Sequence, residues 1–211
     1  NKSGLIEYLA SGEAAIEYDP ITGECLGLRV AAGTTNQVAN SENFSGSTWT
    51  KTNVSTVAAK TTAPDGNPTA SPFNETTDSS DLIHSMLENA TPAATTGSPV
   101  TFSIYAKANT ASIIQLVAQG AVATPQYANF DLVNGVRTRS STGILQTSVR
   151  KFKNGWYRIS ITITPTVAAS PQFTLALIND VTSAAALPAY TGTGKGIFIW
   201  GAQIENWDGV T

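Results

Sequence analysis

Between residues 98 and 206, apolar and polar residues change places with a period of two, segment after segment. VTFSIYAKA sets Val100, Phe102, Ile104 and Ala106 on one side and Thr101, Ser103, Tyr105 and Lys107 on the other. GWYRISITIT sets Tyr157, Ile159, Ile161 and Ile163 against Trp156, Arg158, Ser160 and Thr162. PQFTLALIN repeats the pattern with Phe173, Leu175 and Leu177, and GIFIWGAQIE closes the series. A period of two is the signature of a strand with one buried face, and no long stretch has the helical period. DLIHSMLENA suits a further strand better than a turn of helix.

Turn chemistry separates these segments. Asp19-Pro20-Ile21-Thr22-Gly23 joins AAIEYDP to ECLGLRV as a hairpin. Asn134-Gly135 reads as a two-residue hairpin turn in YANFDLVNGVRT. Residues 31–50 are polar and Asn-rich, and residues 61–80 are dense in Thr, Ser, Pro and Asp, so both read as long surface connections. Many short alternating strands between turns predict an all-β, antiparallel β-sandwich. We expect residues 1–35 to form an N-terminal β-hairpin arm and residues 36–211 the sandwich. At 211 residues one such core is readily filled.

Composition narrows function mainly by exclusion. Charged residues are 13% of the chain and the net charge is −3. No basic stripe with interleaved aromatics marks a nucleic-acid site. No apolar run approaches the roughly 20 residues that span a bilayer, and no basic stretch leading into an apolar h-region opens the sequence. One cysteine, Cys25, excludes an internal disulfide, and one histidine, His84, excludes a multi-His metal site. GxSxG is missing. GTGKG (192–196) lacks the phosphate-loop spacing and is followed by a strand, not a helix. Asp131, Asp180, Glu205 and Asp208 form no recognisable glycosidase pair. These absences predict a chain that is not an enzyme.

EYDPITGECLGLRV, TNQVANSENFSGSTWTKTNV, TAPDGNPTA, VTFSIYAKA, YANFDLVNGV, NGWYRISIT and IFIWGAQIE follow one another in that order. This series resembles the carbohydrate-binding-module-like jelly-roll domain of bacteriophage tail and head-fibre proteins, over residues 15–206. Thr35-Asn36-Gln37 stands where that family has TNL, and SPFNETTDSSDLIHSML diverges from it, although His84 falls about where a histidine is common. The resemblance implies a concanavalin A-like or carbohydrate-binding-module-like jelly roll. It implies a non-catalytic virion module of a fibre, tail or head-decoration protein, made in the host cytoplasm and acting outside it. The expected partners are host-surface glycans and other virion subunits, in homo-oligomers such as trimers, with neither nucleic acid nor membrane insertion. Family proteins carry more chain before the first hairpin, so Asn1 is expected to begin a piece of a longer protein. Two alternatives stay open: a purely structural decoration protein whose polar sheet face packs on neighbouring subunits, and the binding module of a longer polysaccharide depolymerase.

A sugar site needs a flat apolar surface bordered by hydrogen-bonding groups. The outward positions that offer this are Tyr105, Lys107, Gln115, Tyr127, Asn129, Trp156, Arg158 and Gln203, which paired strands would gather into one patch. Each also has a structural reading: Trp156 as a corner anchor, Arg158 as an ion-pair partner, Tyr105 and Gln203 as recurring framework residues. His84 reads as a satisfied, half-buried residue. Jelly-roll modules commonly hold a structural Ca²⁺ where first and last strands meet. Asn40, Glu42, Glu205 and Asp208 supply oxygens there, with Glu42 and Glu205 the leading ligands. Within GIFIWGAQIENWDG, alternation predicts Trp200 in the core and Gln203 and Glu205 on the opposite face, with Trp207 in the exit segment.

Overall fold

The computed structural model describes residues 1–10, 13–29, 35–56, 60–90 and 93–206. Trp207 and Asp208 therefore lie outside the described residues, as do residues 30–34 at the end of the arm.

Sixteen strands follow one another: β1 (Ile16–Tyr18), β2 (Cys25–Leu28), β3 (Thr50–Thr52), β4 (Val54–Ser55), β5 (Ser71–Glu75), β6 (Thr77–Leu82), β7 (His84–Asn89), β8 (Val100–Lys107), β9 (Ile113–Gln119), β10 (Gln126–Asp131), β11 (Val136–Ser140), β12 (Ile144–Lys151), β13 (Trp156–Ile163), β14 (Gln172–Leu177), β15 (Tyr190–Thr193) and β16 (Gly196–Asn206). Two six-stranded antiparallel sheets stack face to face. One has the order β11-β10-β9-β14-β7-β3 and is called the front sheet here; the back sheet is β12-β13-β8-β16-β5-β4. The chain crosses repeatedly from one sheet to the other, which is the wrapping of a jelly-roll sandwich. The hairpin β1-β2 and the long-range antiparallel pair β6-β15 stand as separate two-stranded sheets.

The period-two reading holds on the inner faces. Val100, Phe102, Ile104 and Ala106 of β8 and Tyr157, Ile159, Ile161 and Ile163 of β13 face Phe173, Leu175 and Leu177 of β14 in one core. Phe102 and Phe173 stack across the gap with ring centroids 4.9 Å apart. DLIHSMLENA is strand, as expected, with Met86 on the inner face opposite Leu175.

Four sequence expectations need correction. Residues 61–80 are not simply a surface connection: Ser71, Phe73 and Glu75 of β5 are buried, and β5 pairs with β16. Only Phe73 is a large apolar residue there, so the alternation is too faint to read. The β10–β11 turn has four residues, 132–135, not two. Asp131 Oδ1 accepts from the N–H groups of Val133 and Asn134 and so sets the longer loop. Gly135 closes it at φ +66, where a Cβ would run into the Tyr157 ring. His84 is fully buried, with Nε2 2.6 Å from Asp78 Oδ2 and its ring against Tyr190.

The fourth correction concerns β16. Trp200 pairs with Tyr105 and Gln203 pairs with Ser103, so Gly201 and Ala202 together oppose the single residue Ile104. This is a β-bulge, with Gly201 at φ +61 supplying the left-handed backbone. The extra residue resets the alternation. Trp200 and Gln203 thus share the outer face, while Ile199, Ala202 and Ile204 all reach the core. The bulge also turns the peptide groups of Ala202 away from the ladder. Ser41 O takes the Ala202 N–H at 2.9 Å, and Asn36 Nδ2 donates to Ala202 O at 3.2 Å. Asn36 Oδ1 accepts from Ile204 N as well, so the TN and WGAQ motifs form one clasp.

Candidate functional site

The eight expected site residues divide between two opposite outer faces, because β9 and β10 belong to the front sheet and β8, β13 and β16 to the back sheet. They form no single patch. Neither outer face is open in the way simple alternation predicts, since the chain folds back over both.

On the front sheet, Gln115 and Asn129 sit opposite each other on β9 and β10 and are 0% exposed. The segment between β14 and β15 lies across them as a strap. Gln115 Nε2 donates to Asn129 Oδ1 at 2.8 Å and to Ala185 O at 3.0 Å, and its Oε1 accepts from Leu187 N at 2.7 Å. Asn129 Nδ2 donates to Val181 O and Ser183 O. Both donor hydrogens of each amide are therefore used, and the pair holds the strap down. Leu187 adopts φ +54 under this restraint. Tyr127, opposite Val117, is also buried.

On the back sheet, Tyr105, Trp156 and Trp200 form a second apolar cluster with Ala63 and Ala70, flanked by Ile6, Phe152 and Phe198. Trp156 is 1% exposed and donates Nε1–H to Thr62 O, while Trp200 Nε1 reaches Thr69 Oγ1. The APDG turn, residues 63–66, and the arm supply the cover: Ile6 N donates to Pro64 O at 3.1 Å. Lys107 lies half-exposed at the end of β8, opposite Trp156 and Phe198.

Beside this cluster a groove of about 700 Å³ opens between the arm and the back sheet. Tyr105, Arg158 and Gln203 line its floor, with Phe152 and Arg150 from the β12–β13 side and Ile6, Glu7, Glu17 and Arg29 from the arm. Arg158 organises the floor. Its Nη1 donates to Tyr105 Oη at 3.1 Å, and its Nη2 to Ser103 Oγ at 2.8 Å and to Gln203 Oε1. The guanidinium lies 5.1 Å from the centroid of the Tyr105 ring, and Phe152 meets that ring edge-on. At the rim, Arg150 Nη1 pairs with Glu17 Oε1 at 2.7 Å. Tyr105, Arg158 and Gln203 are thus the sequence-expected residues that the fold brings together. Phe152, Arg150 and Glu17 were missed. Arg150 lies directly across from Arg158 in register, which the sequence alone does not show without the strand pairing.

The calcium ligands fare differently. Glu42 accepts a hydrogen bond from Tyr8 Oη at 2.9 Å, and burial together with Glu42 pushes the Tyr8 phenol up to about 12. Glu205 lies on β16 opposite Thr101. Among the described residues no three of His, Cys, Asp and Glu gather in a group that could hold a metal ion. GTGKG folds around a carboxylate of its own chain: Glu75 Oε1 accepts from the N–H groups of Thr193 and Lys195, and Tyr190 Oη donates to Oε2.

No protein-family model matches the chain, and no curated protein does. Among solved structures it is similar to TmCBM61 in complex with β-1,4-galactotriose, with a TM-score of 0.47 and 12% identity over 82% of this chain and 99% of that one. It is also similar to the enzymatically active domain of bacteriophage CBA120 tailspike protein 4, with a TM-score of 0.46, 10% identity, and 82% and 21% of the two chains covered. A third is the N-terminal CBM22-1–CBM22-2 tandem of Paenibacillus barcinonensis Xyn10C, with a TM-score of 0.44, 14% identity, and 86% and 53% covered. Likenesses this distant do not reach function, and the class of the protein, an all-β antiparallel jelly-roll sandwich, rests on its own strand topology. Among the described residues no helix is long and apolar enough to cross a membrane.

Proposed function

We propose that the chain is a non-catalytic glycan-binding module of a bacteriophage virion protein, and that the groove between the arm and the back sheet is its saccharide site. The observation that carries this reading is the convergence of Tyr105, Phe152, Arg150, Arg158 and Gln203 on one groove of about 700 Å³. That volume falls within the roughly 300–1,000 Å³ usual for small-ligand sites. Ring edges and the arm's aliphatic side chains give the apolar wall a pyranose needs. Arg150, Glu17 and Gln203 supply fixed hydrogen-bonding groups for hydroxyls. The motif series in the sequence supports the virion setting and the ligand class.

An array of bacterial surface polysaccharides tests the ligand, with Phe152→Ala and Gln203→Ala as variants. Wild type is expected to bind a subset of glycans. Each variant should weaken that binding about 10-fold, the scale of one lost stacking or hydrogen-bond contact. Gln203→Ala should keep its melting temperature, whereas Phe152→Ala, which also loses packing on Tyr105, should melt lower and is assayed below its own transition. Binding to no glycan sinks the reading.

A second reading has its own observation. Leu26 and Leu28 of β2 are 56% and 61% exposed, on a two-stranded sheet of the kind that is marginal alone. Hairpin β1-β2 would then pack on a neighbouring subunit, and the module would serve assembly. Sedimentation of wild type and Leu26→Lys decides it: a homo-oligomer that dissociates in the variant supports assembly through the hairpin.

A further inference from the structure

We propose that the sandwich edge formed by β11 and β12 is a second binding surface, which takes the acidic groups of a polyanionic glycan. This rests on the glycan reading above and adds to it a ligand class and a path. From residue 132 to residue 179 the chain carries six of its 12 cations and none of its 15 acids, within a protein whose net charge is −3. The fold gathers this excess. β11 ends the front sheet and β12 ends the back sheet, and the two edges adjoin. Register sets Arg137 beside Phe130 and Lys151 beside Tyr157, both core residues, so these two cations flank the seam between the sheets. Arg139 lies beside Asn129 and Arg150 beside Arg158, on the two outer faces. Arg137, Arg139, Arg150 and Lys151 are all exposed.

Carboxylates reach Arg150 and Arg139, while Arg137 and Lys151 at the seam form no ion pair among the described residues; Arg150 also helps hold Asp19 low, after its bonds to Thr22 and Ile21. Among the described residues the Arg150–Glu17 pair is the one ion pair formed by the six. Asp180 lies close enough to Arg139 for that charge to help hold its carboxyl low, after its bonds to Thr182. Charged edge strands also deter sheet-to-sheet pairing. That need would be met by either sign, and it does not account for the exclusion of every acid across four strands. A surface of one sign raises the local concentration of opposite charge and is sensitive to salt. Arg150 and Phe152 lead from this edge into the groove floored by Arg158 and Gln203. One extended acidic polysaccharide can therefore occupy the groove and continue along the edge. Single-stranded nucleic acid would need a row of open aromatic platforms along the edge, whereas Trp156 and Tyr157 there are buried.

The experiment measures binding to a polyuronate, to a neutral galactan of similar length and to single-stranded DNA, at low and high salt. It uses the whole chain, Gln203→Ala in the groove, and two double variants at the edge, Arg137→Glu/Lys151→Glu and the milder Arg137→Gln/Lys151→Gln, with the folding of each checked by thermal melting. Wild type should prefer the polyuronate and lose about 10-fold in affinity for it as salt rises from 50 to 300 mM. Both double variants should lose polyuronate binding by a similar factor and keep their melting temperatures. Equal binding of polyuronate by wild type and double variants overturns the proposal, as does preference for galactan or equal binding of DNA. If Gln203→Ala alone abolishes binding, the groove reading stands and the edge falls. If only the edge variants matter, the edge stands and the groove reading falls.

Discussion

At the scale of single residues, polar side chains on outer faces serve two different ends. Gln115 has spent its donors on Asn129 Oδ1 and the carbonyl of Ala185, and Asn129 its own on the carbonyls of Val181 and Ser183. Replacing either with Ala would leave buried strap groups unpaired, and stability should fall by about 2–4 kcal/mol, read from denaturant unfolding. Arg158 and Gln203 are half-exposed on the wall of an open groove. Trp156 shows why an outward strand position is weak evidence for a ligand contact. Alternation placed it correctly on the face opposite the core, yet Ala63, Ala70 and Trp200 cover it. Trp156→Ala should destabilise the protein by about 3–5 kcal/mol, as large aromatic truncations in packed sites do. Its melting curve must therefore be recorded before any loss of binding is assigned to the site.

Among the elements, β16 decides most. The inner faces of β8, β13 and β14 were legible from period two because apolar residues recur on them without interruption. In β16 simple alternation put Ala202, Gln203 and Ile204 on their correct faces but Phe198, Ile199 and Trp200 on the wrong ones. Phe198, Ile199 and Trp200 are all apolar, so the phase before the bulge left no periodic trace, and the one signal of the bulge was the isolated Gly201 within a strand pattern. Its cause becomes visible in space: Asn36 and Ser41 take the peptide groups that the bulge frees. The strand β5 was missed for a related reason, since Ser71 and Glu75 are buried by hydrogen bonding and pairing, not by apolar character. Gly201→Ala tests the bulge. A Cβ at φ +61 would also sit 3.3 Å from the Tyr105 ring. The substitution should cost about 1–2 kcal/mol from the left-handed backbone alone. Deleting Gly201 removes the bulge but leaves Ala202 opposite Ile104 and Ile204 inward, so its cost should come from the lost bonds of Ala202 to Asn36 and Ser41, about 1–3 kcal/mol by denaturant unfolding.

Over the whole molecule, the outer faces and the ends of the sandwich carry carboxylates whose titration pulls in opposite directions. Asp78 is held below the usual range first by its bond to His84 and then by Thr76. Glu75 is pushed up by burial, but Tyr190, Thr193 and Lys195 together bring it below its ordinary value. Groups held low contribute stability that is present above their unfolded values, 3.8 for Asp78 and 4.5 for Glu75, and is lost as pH falls through the folded ones. Glu88 behaves conversely. It sits 3% exposed on the inner face of β7, with no partner for Oε2, and burial raises it despite bonds from Thr48 and Ala39. Its contribution is fully present below 4.5 and declines as pH rises through its folded value. Wild type should therefore melt at its highest temperature in mildly acidic solution, lose stability steeply below pH 4, and lose a smaller amount towards pH 8. Glu88→Gln removes the buried charge and keeps an acceptor for Thr48 and Ala39. It should raise the melting temperature at pH 8, change little at pH 4.5, and leave the acid limb intact. Asp78→Asn should make that acid limb shallower, with Glu75 still contributing to it, and leave the alkaline decline as it is. If the two substitutions alter the same limb, the opposed roles of the two carboxylates are wrong.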